Sequence, residues 1–577
     1  MDILWEYGFS LALLVVLAAP LGGYIDRVMS GESVFLSSLL APCEKAIYRF
    51  IGGAEEEMDW KSYAFAALSF SVVSFVLLFA VLAAQKYLPL NPQGFGGMSW
   101  DLAFNTAASF VTNTNWQSYS GEKTLGYFAQ SLGLTVQNFL SASVGIAVVF
   151  AFFRGFTRVN ASSIGSFWKD VTRAALYVML PLCLLLSVAL VSCGTVQNLQ
   201  SYRVSDLVEP ITLEDGSSVS QMVLPMGPQA SQVAPKQLGT NGGGFSGTNS
   251  AHPFENPTPL SNLLEMLAIL LIPVSLCFSF GRNIKDKRQG RAIFAAMFIL
   301  LLAALAAVTI SELAATPQLI QGGSVDISSV GQAGGNMEGK ETRFGIAMSS
   351  MWTVFTTAAS SGSVNAMFDS LTPLGGMAAM LMIQLGEVVF GGVGSGLYGM
   401  ICFAMLTVFI AGLMVGRTPE YLGKKIGPYE MKMSLFVCLA TPLCILAGSG
   451  IAVILPQAAQ SLGNSGAHGL SEILYAYTSA GGNNGSAFAG LNTDTVFFNV
   501  SLGVIMLAAR FVPMVGALAI AGAMAEKKKT AMSSGTLSTC DTMFVLLLIF
   551  VVLMIGALSF FPVLALGPVA EHLAMYL

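Results

Sequence analysis

TNTNW at residues 112–116, TNGGGF at 240–245, SSGSVN at 360–365 and GNNGSAF at 482–488 fall in four quarters of one very apolar chain. Each follows a short helix-compatible stretch and precedes a long apolar span. The motifs offer carbonyls, hydroxyls, amides and glycine, and no Asp or Glu. Groups of that kind can replace the water around a cation. Calcium or magnesium would call for carboxylates, so a weakly hydrated monovalent ion fits better. One such motif alone reads as an ordinary Gly/Asn/Ser turn. Four at matching positions read as the sides of an ion filter.

Aligned by position, the candidate ligands are Asn113, Thr114 and Asn115, with Gln117 just beyond; Thr240, Asn241 and Gly242; Ser360, Ser361 and Gly362; and Asn483, Asn484 and Gly485. The stretches before them, about 99–111, 230–239, 344–358 and 468–481, are mostly too short or too polar to cross a bilayer. Irregular backbone at membrane depth survives only when buried in protein or lining water. A half-helix entering from outside also points its partly negative C-terminal end at the centre.

The chain around the motifs belongs in lipid. It has 577 residues, 54% hydrophobic and 10% charged, with a mean hydropathy of +0.69. Soluble domains carry about 25% charged residues. At about 20 apolar residues per crossing, ten spans are expected: 3–24, 62–85, 125–152, 172–193, 260–281, 291–313, 375–414, 433–455, 495–524 and 542–565. The acidic N-terminus lacks the basic start of a secretory signal, so 3–24 reads as an uncleaved span. Of the 27 Lys and Arg, twenty fall in alternate loops, six in the loops between and Arg510 inside a span. The basic loops face the cytoplasm, which puts both termini and all four motifs outside. The long outer loops, 194–258 and 314–374, read as ordered caps over the pore.

The fold class expected is an all-α polytopic membrane protein. Ten transmembrane helices form four M1–pore loop–M2 repeats about a pseudo-fourfold axis, with an extra helix at each end. The divisions are 1–30 (extra helix), 60–155 (filter 112–117), 168–282 (filter 240–245), 288–416 (filter 360–365), 430–526 (filter 479–486) and 540–577 (extra helix).

Two charges lie inside spans, Glu387 and Arg510. Each costs about 2.5–3.5 kcal/mol at mid-bilayer unless paired or wet, and each is a candidate partner for the other. Beside Glu387 runs VVFGGVGSGLYG (388–399), with Gly391, Gly392 and Gly394 among five glycines. Glycine costs about 1 kcal/mol each in a helix, and span 375–414 is overlong. A break there, near 387–399, reads as a flexible plug below the filter; close helix packing through small residues is the other reading.

The remaining chemistry is sparse. Six of the eight cysteines lie in apolar spans without a CxxC pair and read as small hydrophobes. His252, His468 and His572 are scattered, so a metal site built from them is not expected. No Walker A loop and no Asp-Lys-Thr-Gly motif occurs, and no cytoplasmic loop exceeds about forty residues. The chain is not expected to hydrolyse ATP itself. No strongly basic surface argues for nucleic acid. A stand-alone passive channel or ion-coupled transporter, and a structural membrane scaffold, are the competing classes; the fourfold motif argues against the scaffold.

TNTNWQ, LGTNGGGF, SSGSVNAM, TSAGGNNGSAFAGLN and LGEVVFGGVGSGLYGM together resemble the potassium-binding A subunits of Kdp-type potassium-transporting ATPases, over nearly the whole chain. The resemblance implies a Trk/Ktr-like fold, K+ held by the filter residues and no organic cofactor. It implies ATP hydrolysis by a separate P-type catalytic B subunit, with a single-span C subunit and a small single-helix F peptide completing a complex in the bacterial plasma (inner) membrane. In that family the segment near 387–399 is a gating loop, from which a tunnel leads sideways to the ATPase subunit.

Overall fold

The computed structural model describes residues 2–213, 216–314, 317, 335–530 and 537–577. Within them lie ten helices long and apolar enough to cross a membrane. In chain order, with the shorter helices that matter, they are α1 (Asp2–Met29), α2 (Ser37–Ile51), α3 (Trp60–Ala84), α4 (Trp100–Val111), α5 (Ala129–Thr157), α6 (Phe167–Cys193), α7 (Gln229–Leu238) and α8 (Pro259–Asn283). Then follow α9 (Lys287–Leu313), α10 (Gly345–Ala358), α11 (Pro373–Gln384), α12 (Ser395–Val415), α13 (Pro428–Ile454), α14 (Gly466–Gly481), α15 (Val496–Ala525) and α16 (Thr542–Ala574).

Polar caps set several starts. Thr258 and Ser261 form a capping box before Pro259 of α8, and the Thr495 and Asp541 side chains accept from the N–H groups of Phe498 and Phe544. These caps satisfy helix-end donors that no lipid could.

The spans sort into two rings by burial. The apolar windows of α5, α8, α12 and α15 are 83, 78, 72 and 61% buried, while those of the other six spans are 33–50% buried. Four helices therefore line the centre, and six present side chains such as Leu184, Leu185 and Phe550 outward. Small residues let the layers meet: Gly22 of α1 lies so close to α8 that a Cβ would stand 2.4 Å from the Ser275 carbonyl.

The overlong seventh span is two helices, α11 and α12, separated by residues 385–394, the break that its length and glycines predicted. Other features depart from the sequence expectation. The loop after α1 carries α2, whose Glu44 pairs with Arg173 at 2.8 Å. The fold is not purely helical: β1 (Arg203–Thr212) and β2 (Ser218–Leu224) form an antiparallel hairpin that is exposed almost throughout. Loop 194–258 thus caps the centre through its buried later part and holds the hairpin away from it. Residues 315–316 and 318–334 of the other expected cap lie outside the described residues. A second small hairpin, β3 (Glu420–Tyr421) with β4 (Lys424–Lys425), places Lys424 beneath two inner helices. Its buried ammonium donates to the carbonyls of Gly155, Arg158 and Met524, where α5 and α15 end. Of the cysteines, Cys183, Cys277, Cys402 and Cys438 are buried, Cys193, Cys444 and Cys540 half-buried and Cys43 exposed; all are free thiols.

His468, near the start of α14, joins distant segments. Its Nδ1 lies 2.8 Å from Glu571 and its Nε2 3.0 Å from Asp369. Hydrogen bonds from Asp369 and then Glu571 push its pKa up to about 10. The unfolded value is about 6.5, so this stabilisation is complete below pH ~6.5 and lost as pH rises through about 10. We expect His468→Gln to lower the melting temperature at neutral pH and to flatten its decline between neutral pH and pH ~10. An unaltered pH profile of thermal unfolding in detergent would show that the clasp contributes nothing.

Candidate ion-binding site

Four short helices, α4, α7, α10 and α14, stop at the four polar motifs with the same spacing. The helices end at Val111, Leu238, Ala358 and Gly481, and two residues later stand Asn113, Thr240, Ser360 and Asn483. All four of these are in the left-handed region, with φ of 66°, 51°, 50° and 45°. Asn115, Gly242 and Gly485 are left-handed again, at 55°, 95° and 101°, while Gly362 is not. Left-handed backbone is rare outside glycine and is tolerated best by Asn. A shared donor pattern holds each turn. The N–H groups of Thr114, Asn241, Ser361 and Asn484 donate to the carbonyls of Ser109, Lys236, Thr356 and Ser479, at 2.8–2.9 Å.

The motifs close on one another in order. A Cβ on Gly242 would lie 2.0 Å from the Gly362 nitrogen, one on Gly362 2.7 Å from the Gly485 carbonyl carbon, and one on Gly485 2.1 Å from the Thr114 oxygen. Asn113 Nδ2 completes the ring, donating to the carbonyls of Gly239 and Thr240 at 3.1 Å. Asn483 Nδ2 donates to Thr114 Oγ1 at 2.9 Å, and Ser360 Oγ to the Gly482 carbonyl at 3.0 Å. The Asn241 amide meets Asn113 and the Ser141 hydroxyl. Gln117 lies further out and exchanges hydrogen bonds with the backbone of Gly244. Eleven of the twelve aligned residues are buried and Gly485 is half-buried, and among the described residues no protein donor reaches the carbonyls of Asn113, Thr114, Gly362, Asn483 or Gly485. Buried carbonyls without donors are what a desolvated monovalent cation requires.

Directly against the ring sits the break between α11 and α12. The N–H of Val393 donates to Thr240 Oγ1 at 3.0 Å, and that of Gly391 to the Ala358 carbonyl at 3.0 Å. Glu387, Phe390, Gly391 and Gly394 all have positive φ. A Cβ on Gly391 would lie 1.9 Å from the Glu387 carbonyl, and one on Gly392 3.4 Å from Glu387 Oε2.

Glu387 and Arg510 both line a cavity of about 20 Å³, room for one water. They do not form the direct ion pair that their depth suggested. Glu387 Oε2 instead accepts from Ser395 Oγ at 3.0 Å, and no Arg510 nitrogen lies within 4.0 Å of it. The cavity between them keeps the charges apart, so their interaction is through space.

Two lysines counted in the sequence as loop charges are buried. Lys236 on α7 pairs with Glu255 at 2.8 Å, and Lys340 with Glu312 at 2.6 Å; all four side chains are fully buried. The available signal was their place on the side where basic residues are scarce.

A family model described as potassium-transporting ATPase A subunit matches residues 9–573. A protein named potassium-transporting ATPase potassium-binding subunit, from Clostridium perfringens, is 65% identical over 570 residues, 99% of both chains. Proteins of the same name from Desulfovibrio desulfuricans and Listeria monocytogenes are 61% and 57% identical, each over 100% of this chain and 99% of the relative. Among solved structures, the potassium transporter TrkH from Vibrio parahaemolyticus aligns over 87% of this chain and 97% of its own at 12% identity, with a TM-score of 0.49.

Proposed function

This chain belongs to the family of potassium-transporting ATPase A subunits, and from that premise we propose that the ring of four motifs is its potassium filter. The chain is the potassium-binding subunit of the ATPase complex and not its catalytic subunit. The observation that carries the filter reading is the closure of Asn113–Asn115, Thr240–Gly242, Ser360–Gly362 and Asn483–Gly485 into one ring through backbone contacts at the glycines and the Asn113 side chain. Potassium enters from outside, exchanges its water for carbonyls and hydroxyls, and is held without a carboxylate. The turn at 386–394, with Gly391, Gly392 and Gly394, is the gate beneath the ring. Glu387 and Arg510 set the field in the cavity beside it. Span–motif–span units at 60–155, 168–282, 288–416 and 430–526 are the four repeats, with α1 and α16 as additions.

The partners of this reading are a P-type B subunit that hydrolyses ATP, a single-span C subunit and a single-helix F peptide. The complex sits in the bacterial inner membrane with both termini of this chain outside. No organic cofactor is required. Coupling to ATP matters because a potential of 100 mV is worth about 2.3 kcal/mol per charge, only a roughly fifty-fold passive gradient.

Purification from native membrane tests this reading. A partner carrying a P-type phosphorylation motif should come with the chain, and its hydrolysis should be potassium-dependent. The rigorously isolated chain should hydrolyse no ATP at any potassium concentration. Hydrolysis by the isolated chain would overturn the assignment; potassium flux through it down a gradient, with no partner recovered, would favour a stand-alone Trk/Ktr-like channel.

A further inference from the structure

The four motifs are alike in backbone but not in what stands behind them. Three of the residues whose carbonyls anchor the turns, Ser109, Thr356 and Ser479, carry hydroxyls; the fourth is Lys236. Ser109 Oγ donates to the Trp116 carbonyl at 2.9 Å, Thr356 Oγ1 donates to the Ser361 carbonyl, and Ser479 Oγ accepts from the Gly485 N–H at 2.8 Å. In each case the hydroxyl braces its own motif. In the second quadrant a fully buried ammonium takes that place.

Lys236 Nζ donates to Asn249 Oδ1 at 2.9 Å, Ser250 Oγ at 2.8 Å and Glu255 Oε2 at 2.8 Å, which uses all three of its protons. Held that way, Asn249 turns its amide nitrogen to the Gly242 carbonyl, 2.5 Å away. Gly242 is the third residue of its triplet. Among the described residues no protein donor reaches the carbonyls of the other third residues, Asn115, Gly362 and Gly485. One carbonyl of the ring is therefore engaged by a donor that an ammonium polarises, and a carbonyl already accepting such a bond is a weaker ligand for a cation.

We propose that Lys236 and Asn249 form a relay that fixes and weakens the Gly242 carbonyl, so that the ring is electrically lopsided and its ion preference is set by this quadrant. Lys236 is a positioning residue, acting through Asn249. The proposal rests on the filter reading and deepens it. The lopsided ring holds the ion closer to the Asn115, Gly362 and Gly485 sides. Freeing the fourth carbonyl relaxes that offset and lets a larger monovalent cation compete.

The test measures potassium-dependent ATP hydrolysis and rubidium competition in the complete complex, in native-composition membranes. Asn249→Ala removes the donor. Lys236→Met combined with Glu255→Gln removes the ammonium together with the carboxylate paired to it, and Lys236→Arg keeps the charge. We expect Asn249→Ala and the double variant to shift the rubidium-to-potassium KM ratio in the same direction by about tenfold, the worth of one charge-assisted hydrogen bond, with a smaller effect on kcat. Lys236→Arg should restore part of the ratio. A fall in kcat with an unmoved ratio would assign the pair a structural role and overturn the relay. If the ratio stays fixed in these variants but moves in Gly242→Ala, the relay fails and the filter stands. If it moves in none of them, both readings fail.

Discussion

Replacing Gly242 by alanine is expected to raise the potassium concentration for half-maximal transport by about tenfold or more, and to weaken rejection of rubidium. Two independent costs converge there. The residue sits at φ +95°, where an L side chain is strained by about 1–3 kcal/mol. Its Cβ would stand 2.0 Å from the Gly362 nitrogen and 2.3 Å from the Gly362 Cα, both backbone, so no flexible side chain can yield. The strain is relieved only by pushing the second and third motifs apart, which enlarges the ring. At about 1.4 kcal/mol per decade, even the lower costs are a large loss of affinity. Gly242→Asp adds a charge to a site of neutral dipoles and should be worse. The measurement is uptake kinetics for potassium and rubidium at matched expression. Unchanged kinetics and selectivity in both variants would remove Gly242 from the filter.

Replacing Gly394 by alanine should reduce potassium transport by roughly a hundredfold while leaving potassium binding at the ring far less affected. Gly394 has φ +85°, and a Cβ there would stand 2.1 Å from the Gly145 carbonyl of α5. Gly145 is pressed in return, since its own Cβ would lie 2.0 Å from the Val393 carbonyl. The turn between α11 and α12 is thus laid against α5, backbone on backbone. Overpacking and φ strain together come to about 3 kcal/mol or more. Gly386 supplies the control. Its φ is +88°, yet nothing lies within 4 Å of its Cβ position. Gly386→Ala meets the strain without the collision and should be clearly milder. Transport at the wild-type level in Gly394→Ala, or equal losses in the two variants, would show that the contact with α5 does not govern passage.

Much of the architecture was legible because it rests on composition. A run of apolar residues long enough for a bilayer has few other fates, and the ten spans appear as helices. The interruption of the seventh was also visible, since VVFGGVGSG (388–396) crowds glycine where a helix needs other residues. Loop 194–258 read as an ordered cap over the pore, and the hairpin at 203–224 within it was missed because its strands are solvent-facing and carry no alternating apolar face. Lys236 and Lys340 were counted only as loop charges, since a lysine is spelled alike whether it meets water or Glu255. Their partners are fixed by the turn of the chain around each motif. Glu387 and Arg510 illustrate the limit from the other side. Depth follows from position along a span, but the helix face does not, so a cavity stood where an ion pair was expected.

The unequal backing of the four motifs has a practical consequence. A ring assembled from four identical chains answers any substitution four times over, and a label attached to it arrives in four copies. Here each side of the ring is encoded once. A single cysteine placed near Asn115, Gly242, Gly362 or Gly485 reports from one known compass point, and the eight native thiols all lie outside the four motifs. The sides are also separately mutable, so drift at the Lys236 corner alters one side of the ring directly and reaches its third-motif neighbour only through shared contacts such as Asn249 with Ser363. Such a ring can be retuned in quarter steps, one corner at a time.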